Sequence, residues 1–216
     1  GVTVMTKSDT YRTLLPTLTD WDAYLLAESG LPGPRGNLEL AHVVADLGDR
    51  SLFERYLKYT PEIAPVNSPY EFLAFCGVVG LGRLLAEGDN TLLATLRAFA
   101  SDPRWRIREA VAMALQRLGD ADMPRLLSAM QEWSTGTPLE QRAAAAALCE
   151  PRLLKKPDHA RAVLAVLDAI TASVPARTNR RDERFVAFRK GIGYCWSVAV
   201  VALPAAGKPL MERWLA

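Results

Sequence analysis

Pro69, Pro103 and Pro138 stand 34 and 35 residues apart, and each follows a residue able to cap a helix: Ser68, Asp102 and Thr137. Proline suits the first turn of a helix, because its φ is already helical and its missing N–H would have no partner there. Thr137 and Glu140 complete a capping-box pattern. Gly88 and Gly119 close apolar periodic runs, where helix C-caps are expected. Helix starts recurring about every 34 residues imply a unit of two helices. Such a unit cannot bury its apolar face alone, so successive units stack.

Apolar periodicity between these marks predicts helix pairs at 38–47 with 50–59, 69–87 with 91–101, 103–118 with 122–133, 138–150 with 158–173 and 183–203 with 208–215. A further helix near 20–29 is expected to cap the stack. The expected architecture is all-α: a single domain over 1–216, with a cap and turn in 1–36 and repeats in 37–216. Alanine and leucine make up 63 of 216 residues, which favours helix over sheet. In the helix after Pro103, Ile107, Val111, Ala114, Leu115 and Leu118 share one stripe. Arg106, Glu109, Gln116 and Arg117 are expected away from it, with Arg108 at its edge.

The segment Asp102–Asp120, DPRWRIREAVAMALQRLGD, resembles the HEAT repeat, with Asp102, Pro103, Ile107, Arg108, Ala110, Ala114, Leu118, Gly119 and Asp120 at its marked positions. That resemblance implies a HEAT-like α-solenoid of about five helix pairs, an armadillo-like helical array. A narrower likeness, over roughly 68–215, is to the bacterial DNA alkylation repair enzymes, the HEAT-like alkylpurine DNA glycosylases. Their late helix carries Lys-x-Ile-Gly-Trp, and here Lys190, Gly191, Ile192, Gly193 and Tyr194 stand with Trp196 close behind. Their Trp-then-arginine pattern is matched by Trp105, Arg106 and Arg108. An aromatic followed four residues later by a catalytic Asp becomes Tyr70 and Ala74. Alanine cannot stabilise the positive charge that grows on the sugar, so the resemblance implies chemistry that is lost or relocated. Glu71 could substitute if the correspondence slips by three. The family's mechanism implies no metal and no cofactor.

The resemblance implies a nucleic-acid-binding set of Tyr70, Trp105, Arg108, Arg189, Lys190 and Tyr194. Each has a structural alternative. Arg108 can hold a phosphate or bond a neighbouring repeat's carboxylate or carbonyl, as Arg142, 34 residues on, also could. Tyr194 can stack on a base beside Lys190 or pack against the next helix. Trp105 can stack on a ligand or wedge between repeats. LPGPRG, Leu31–Gly36, can form a stiff lip over a groove with Arg35 projecting, or simply a turn.

The net charge of +2 conceals an asymmetry. Residues 1–150 carry 14 Lys+Arg against 19 Asp+Glu, and residues 151–216 carry 12 against 5. The basic part centres on PARTNRRDERFVAFRK, 175–190, where Phe185 and Phe188 interleave with arginines. That composition suits an anionic partner such as duplex DNA, or else a solvated surface. Three scattered cysteines, Cys76, Cys149 and Cys195, point to a reducing cytoplasm rather than a disulfide framework, with Cys195 mildly reactive if Lys190 is close. His42 and His159 lack metal-site spacing. The glycines of GVVGLG, Gly77–Gly82, suit close helix packing better than a dinucleotide loop. No signal peptide or membrane span is expected, since the longest mostly apolar run, 191–206, is broken by Ser197 and Pro204. Three functions follow as expectations: a non-catalytic binding module for nucleic acid or another anionic partner, a divergent alkylbase DNA glycosylase, and a protein-interaction scaffold.

Overall fold

The computed structural model of the chain describes residues 1, 4–174 and 183–215, with side chains for 1, 4–174 and 192–213. The described residues are all-α and contain no strand. In chain order the helices are α1 (Lys7–Leu14), α2 (Asp22–Glu28), α3 (Leu38–Leu47), α4 (Arg50–Leu57), α5 (Pro69–Ala86), α6 (Leu92–Phe99), α7 (Trp105–Ala121), α8 (Met123–Trp133), α9 (Pro138–Leu148), α10 (Pro157–Ala172), α11 (Glu183–Ala202) and α12 (Pro204–Leu215). Short 3-10 turns occupy Leu15–Thr17 and Pro151–Leu154. Helix α1, which apolar periodicity does not announce, is set by a capping box between Thr6 and Asp9.

The first members of successive pairs, α3, α5, α7, α9 and α11, pack on one another in chain order. Their partners lie against them, and α10 also touches α8 and α12. Helix α5 is the centre. It is apolar all round because α3 and α4, then α7, cover it. Its glycines allow that approach: a methyl on Gly80 would sit 2.3 Å from the Phe53 ring, and one on Gly82 would sit 2.5 Å from the backbone of Ala114.

Arginines link several neighbouring helices across the chain. Arg12 bonds Asp46 at 2.7 Å, Arg50 bonds Asp89 at 2.6 Å, Arg152 bonds Asp120 at 2.9 Å, and Arg125 bonds Asn90. Each link spans 32 to 39 residues, close to the proline period. Arg83 Nη1 donates to the carbonyls of Ala45, Asp46 and Gly48, all at 2.8 Å. It thereby satisfies acceptors left open at the end of α3.

Local signals are corrected in several places. Thr137 caps α9 with the full capping box, but the Ser68 hydroxyl donates to the Pro65 carbonyl instead of capping α5. Asp102 does not cap a helix starting at Pro103. Its carboxylate takes a two-pronged bond from buried Arg104, and α7 begins at Trp105. Gly119 is no C-cap. It lies inside α7, with the side-chain tips of Leu126 and Leu153 packed close to it. Gly88, with φ of +126°, does stand just past the end of α5.

Candidate functional site

The polar residues that sequence periodicity assigns to the outside of α7 do not all stay there. Arg106 is buried and Glu109 half-buried, because α7 is covered by α5 and by the 31–36 segment as well as by its own repeat. Arg106 Nη1 lies 3.2 Å from Oε1 of Glu71, which is fully buried on the first turn of α5. Arg106 Nη2 donates to the Gly33 carbonyl at 2.9 Å, and its guanidinium lies 4.4 Å from the centre of the Trp105 ring. The Asn67 backbone N–H also donates to Glu71 Oε1, at 3.0 Å. Three segments about 35 residues apart therefore meet at one ion pair.

LPGPRG is the lip of this assembly. Gly30, at φ +76°, turns the chain, and Gly33 N–H donates to Asn67 Oδ1 at 3.0 Å. Beneath the lip is a cavity of about 150 Å³ lined by Leu31, Arg35, Leu38, Glu71, Phe72, Phe75, Trp105, Arg106 and Glu109, among others. Its walls are mainly apolar, with charged groups at the Glu71–Arg106 pair and towards Glu109 and Arg35. Burial pushes the Glu109 carboxyl up from its ordinary value, against the opposing pull of Arg106 and Arg142. Among the described residues, Glu71 Oε2 and Arg106 Nε are buried without a hydrogen-bond partner.

The sequence-named residues fall around this site in different ways. Ala74 is buried in α5, three residues beyond Glu71, and is not in the cavity wall. Trp105 lines the cavity and is 44% exposed. Tyr70, 46% exposed, stacks one face on Tyr59 with ring centres 5.8 Å apart. Tyr194, 69% exposed, stands on α11 in solvent rather than packed against the next helix. Arg108 Nη1 donates to the carbonyls of Asp102 and Pro103 at 2.8 and 3.1 Å, in the turn before its own helix. The side chains of Arg189 and Lys190, and the segment 175–182, lie outside the described residues.

Cys195 is buried rather than reactive at a surface, and Cys149 beside it is buried too. A hydrogen bond with Cys195, and then burial, holds the Cys149 thiol well above its ordinary pKa. Among the described residues no three His, Cys, Asp or Glu side chains converge as a metal site requires. Sequence reasoning names Glu71 and Arg106 in separate motifs but does not pair them, because the two lie 35 residues apart and neither belongs to an apolar stripe. The one available signal was a Glu and an Arg one repeat apart, each next to an aromatic.

Comparison of the chain with protein-family models, with curated proteins and with solved structures returned no match.

Proposed function

We propose that the chain is a HEAT-like α-solenoid that works as a binding module, holding nucleic acid along the layer built from α3, α5, α7, α9 and α11. One observation carries this reading. Among the described aromatic residues, the ones left exposed are Tyr70, Trp105 and Tyr194, and all three stand on helices of that layer. Free aromatic faces suit stacking on bases, which is sequence-tolerant and worth about 1–3 kcal/mol per base. The basic excess of residues 151–216 supplies attraction for phosphates. The links at roughly one repeat period support the solenoid.

Fluorescence anisotropy with a labelled DNA duplex tests the reading. The expected affinity is on the order of micromolar at low salt and falls steeply between about 50 and 200 mM salt. Trp105→Ala and Tyr194→Ala should each weaken binding by about 5- to 150-fold, the stacking energy expressed as a ratio. Absence of binding at low salt overturns it and leaves a protein-interaction scaffold.

Glu71 favours a second reading, a divergent alkylbase glycosylase with the carboxylate relocated from position 74. Glu71 is a buried carboxylate at a cavity that Trp105 also lines. Release of methylated purine from alkylated duplex by the wild-type protein, abolished in Glu71→Gln, would establish it. No release by the wild type would dismiss it.

A further inference from the structure

We propose that His42 and Arg117 form a pH-sensitive latch between α3 and α7, closed at neutral pH and released in mild acid. The latch is independent of the nucleic-acid reading, since none of its residues carries that reading.

Reach comes first. Helices α3 and α7 each pack on α5, and the Arg117 side chain extends from α7 to α3, 71 and 75 residues back in the chain. Its Nη1 donates to Asp46 Oδ1 at 2.7 Å. Its Nη2 donates to the His42 carbonyl at 3.2 Å and lies 2.9 Å from His42 Nδ1. One guanidinium therefore holds three acceptors on α3. Arg12 of α1 closes on the other oxygen of Asp46 at 2.7 Å.

This geometry fixes the state of the ring. A guanidinium stays protonated and offers no acceptor, so the 2.9 Å contact requires a bare Nδ1 that accepts. The neutral ring then carries its proton on Nε2. A second proton can enter only at Nδ1. There it turns the acceptor into a donor and sets an imidazolium against the Arg117 cation. Two donors now face each other, so the bond from α7 to the ring opens.

The surroundings act in the same direction. His42 is half-buried and lines an open depression with Arg83 of α5, Arg117 and Asp120 of α7, and Arg152 of the second 3-10 turn. The charged groups about the ring are thus Arg83, Arg117 and Arg152 against Asp46 and Asp120, with Arg12 behind Asp46. Burial, and then Arg117, holds the imidazole below its ordinary pKa, against the pull of Asp46 and Asp120. The latch is therefore closed above the ordinary imidazole value and is lost as pH falls towards the lowered one. Water in the depression gives the proton a route.

Asp46 responds at a different pH. Burial alone would raise its carboxyl, but Arg117 and Arg12 hold it below the ordinary value, so it stays ionised while the ring titrates. It stands four residues after His42 on the same helix, where a protonated ring meets a carboxylate in place of Arg117. Mild acid thus exchanges a bond between helices for an attraction within α3. Arg117 Nε is buried without a partner, so the guanidinium has no bond there to offset the loss.

Histidine-ring NMR and amide hydrogen exchange on the full chain test the latch. At neutral pH the His42 ring is expected as the Nε2–H tautomer, with a titration midpoint below the ordinary value of about 6.5. Between about pH 7.5 and pH 5, exchange protection corrected for intrinsic rates should fall in residues 42–47 and 114–121 and hold in α9 and α10. The expected fall is about tenfold or more, the change in opening that follows loss of a hydrogen bond to a charged group. His42→Asn keeps an acceptor oxygen near the Nδ1 position and does not titrate, so its protection should survive at the lower pH. Arg117→Met should raise the His42 midpoint. If either variant fails to fold, the tautomer and midpoint of the wild type still decide. An Nδ1–H tautomer at neutral pH, a midpoint at or above the ordinary value, or an equal loss of protection in His42→Asn overturns the proposal.

Discussion

Gly82→Ala and Gly193→Ala are the same chemical change inside two helices, and they should act in opposite directions. At Gly82 the new methyl would meet Ala114 at 2.5 Å from both its Cα and its carbonyl oxygen. Both atoms belong to the backbone of α7, so no rotamer change can relieve the clash. An ordinary contact needs about 3.5 Å, so α5 and α7 must part by about 1 Å where they meet. Overpacking of this kind costs about 1–3 kcal/mol, and the better helix propensity of alanine returns at most about 1 kcal/mol. The net loss is up to about 2 kcal/mol, or a fall in Tm of up to about 8 °C for a chain of this size. At Gly193 a methyl meets nothing within 4 Å. There propensity acts alone, and stability should rise by about 0.5–1 kcal/mol. Differential scanning calorimetry or urea denaturation of the two variants decides the matter. A Gly82→Ala protein stabilised as much as Gly193→Ala would refute the close α5–α7 approach.

Two further outcomes are expected. Arg104 is almost completely buried and bonds Asp102 through two nitrogens and the carbonyls of Tyr59 and Ala64 through a third. Arg104→Ala strands the Asp102 carboxylate and should cost about 3–5 kcal/mol in urea denaturation, whereas Arg161→Ala, whose pair with Asp158 is exposed, should change stability by less than about 1 kcal/mol. The pKa of His42 is lowered by burial first and by Arg117 second, so the folded state resists its protonation. Its contribution to stability is fully present above the ordinary imidazole pKa and is lost as pH falls from there towards the lowered folded-state value. The Tm difference between pH 7.5 and pH 5.5 should shrink in His42→Gln, and an unchanged difference would exclude His42 as a source of that dependence.

Much of the helical order was legible because helix signals are local. The Thr137–Glu140 box, the prolines at 69 and 138 and the i, i+4 stripes each act within one or two turns. The pairs from 38 to 215 consequently lie within a few residues of expectation. Asp102 shows the limit of such signals. Its carboxylate has the chemistry of a cap, yet a buried guanidinium two residues away offers a stronger, two-pronged bond. Gly119 shows another limit, since the same residue type that ends helices also admits close neighbours. Here Leu126 and Leu153 approach it.

The sequence by itself determined an all-helical chain, the order of its helices and which aromatics it carries. Only the tertiary structure decided which of those aromatics face solvent, and that Glu71 and Arg106 are buried together beneath Gly33. The physical reason is distance along the chain. Residues 33, 71 and 106 are 38 and 35 residues apart in the sequence, and a charged side chain on a helix ordinarily points to water. It is the packing of α7 on α5 and of the 31–36 segment over both that removes the water, pairs the charges and leaves a cavity beside them.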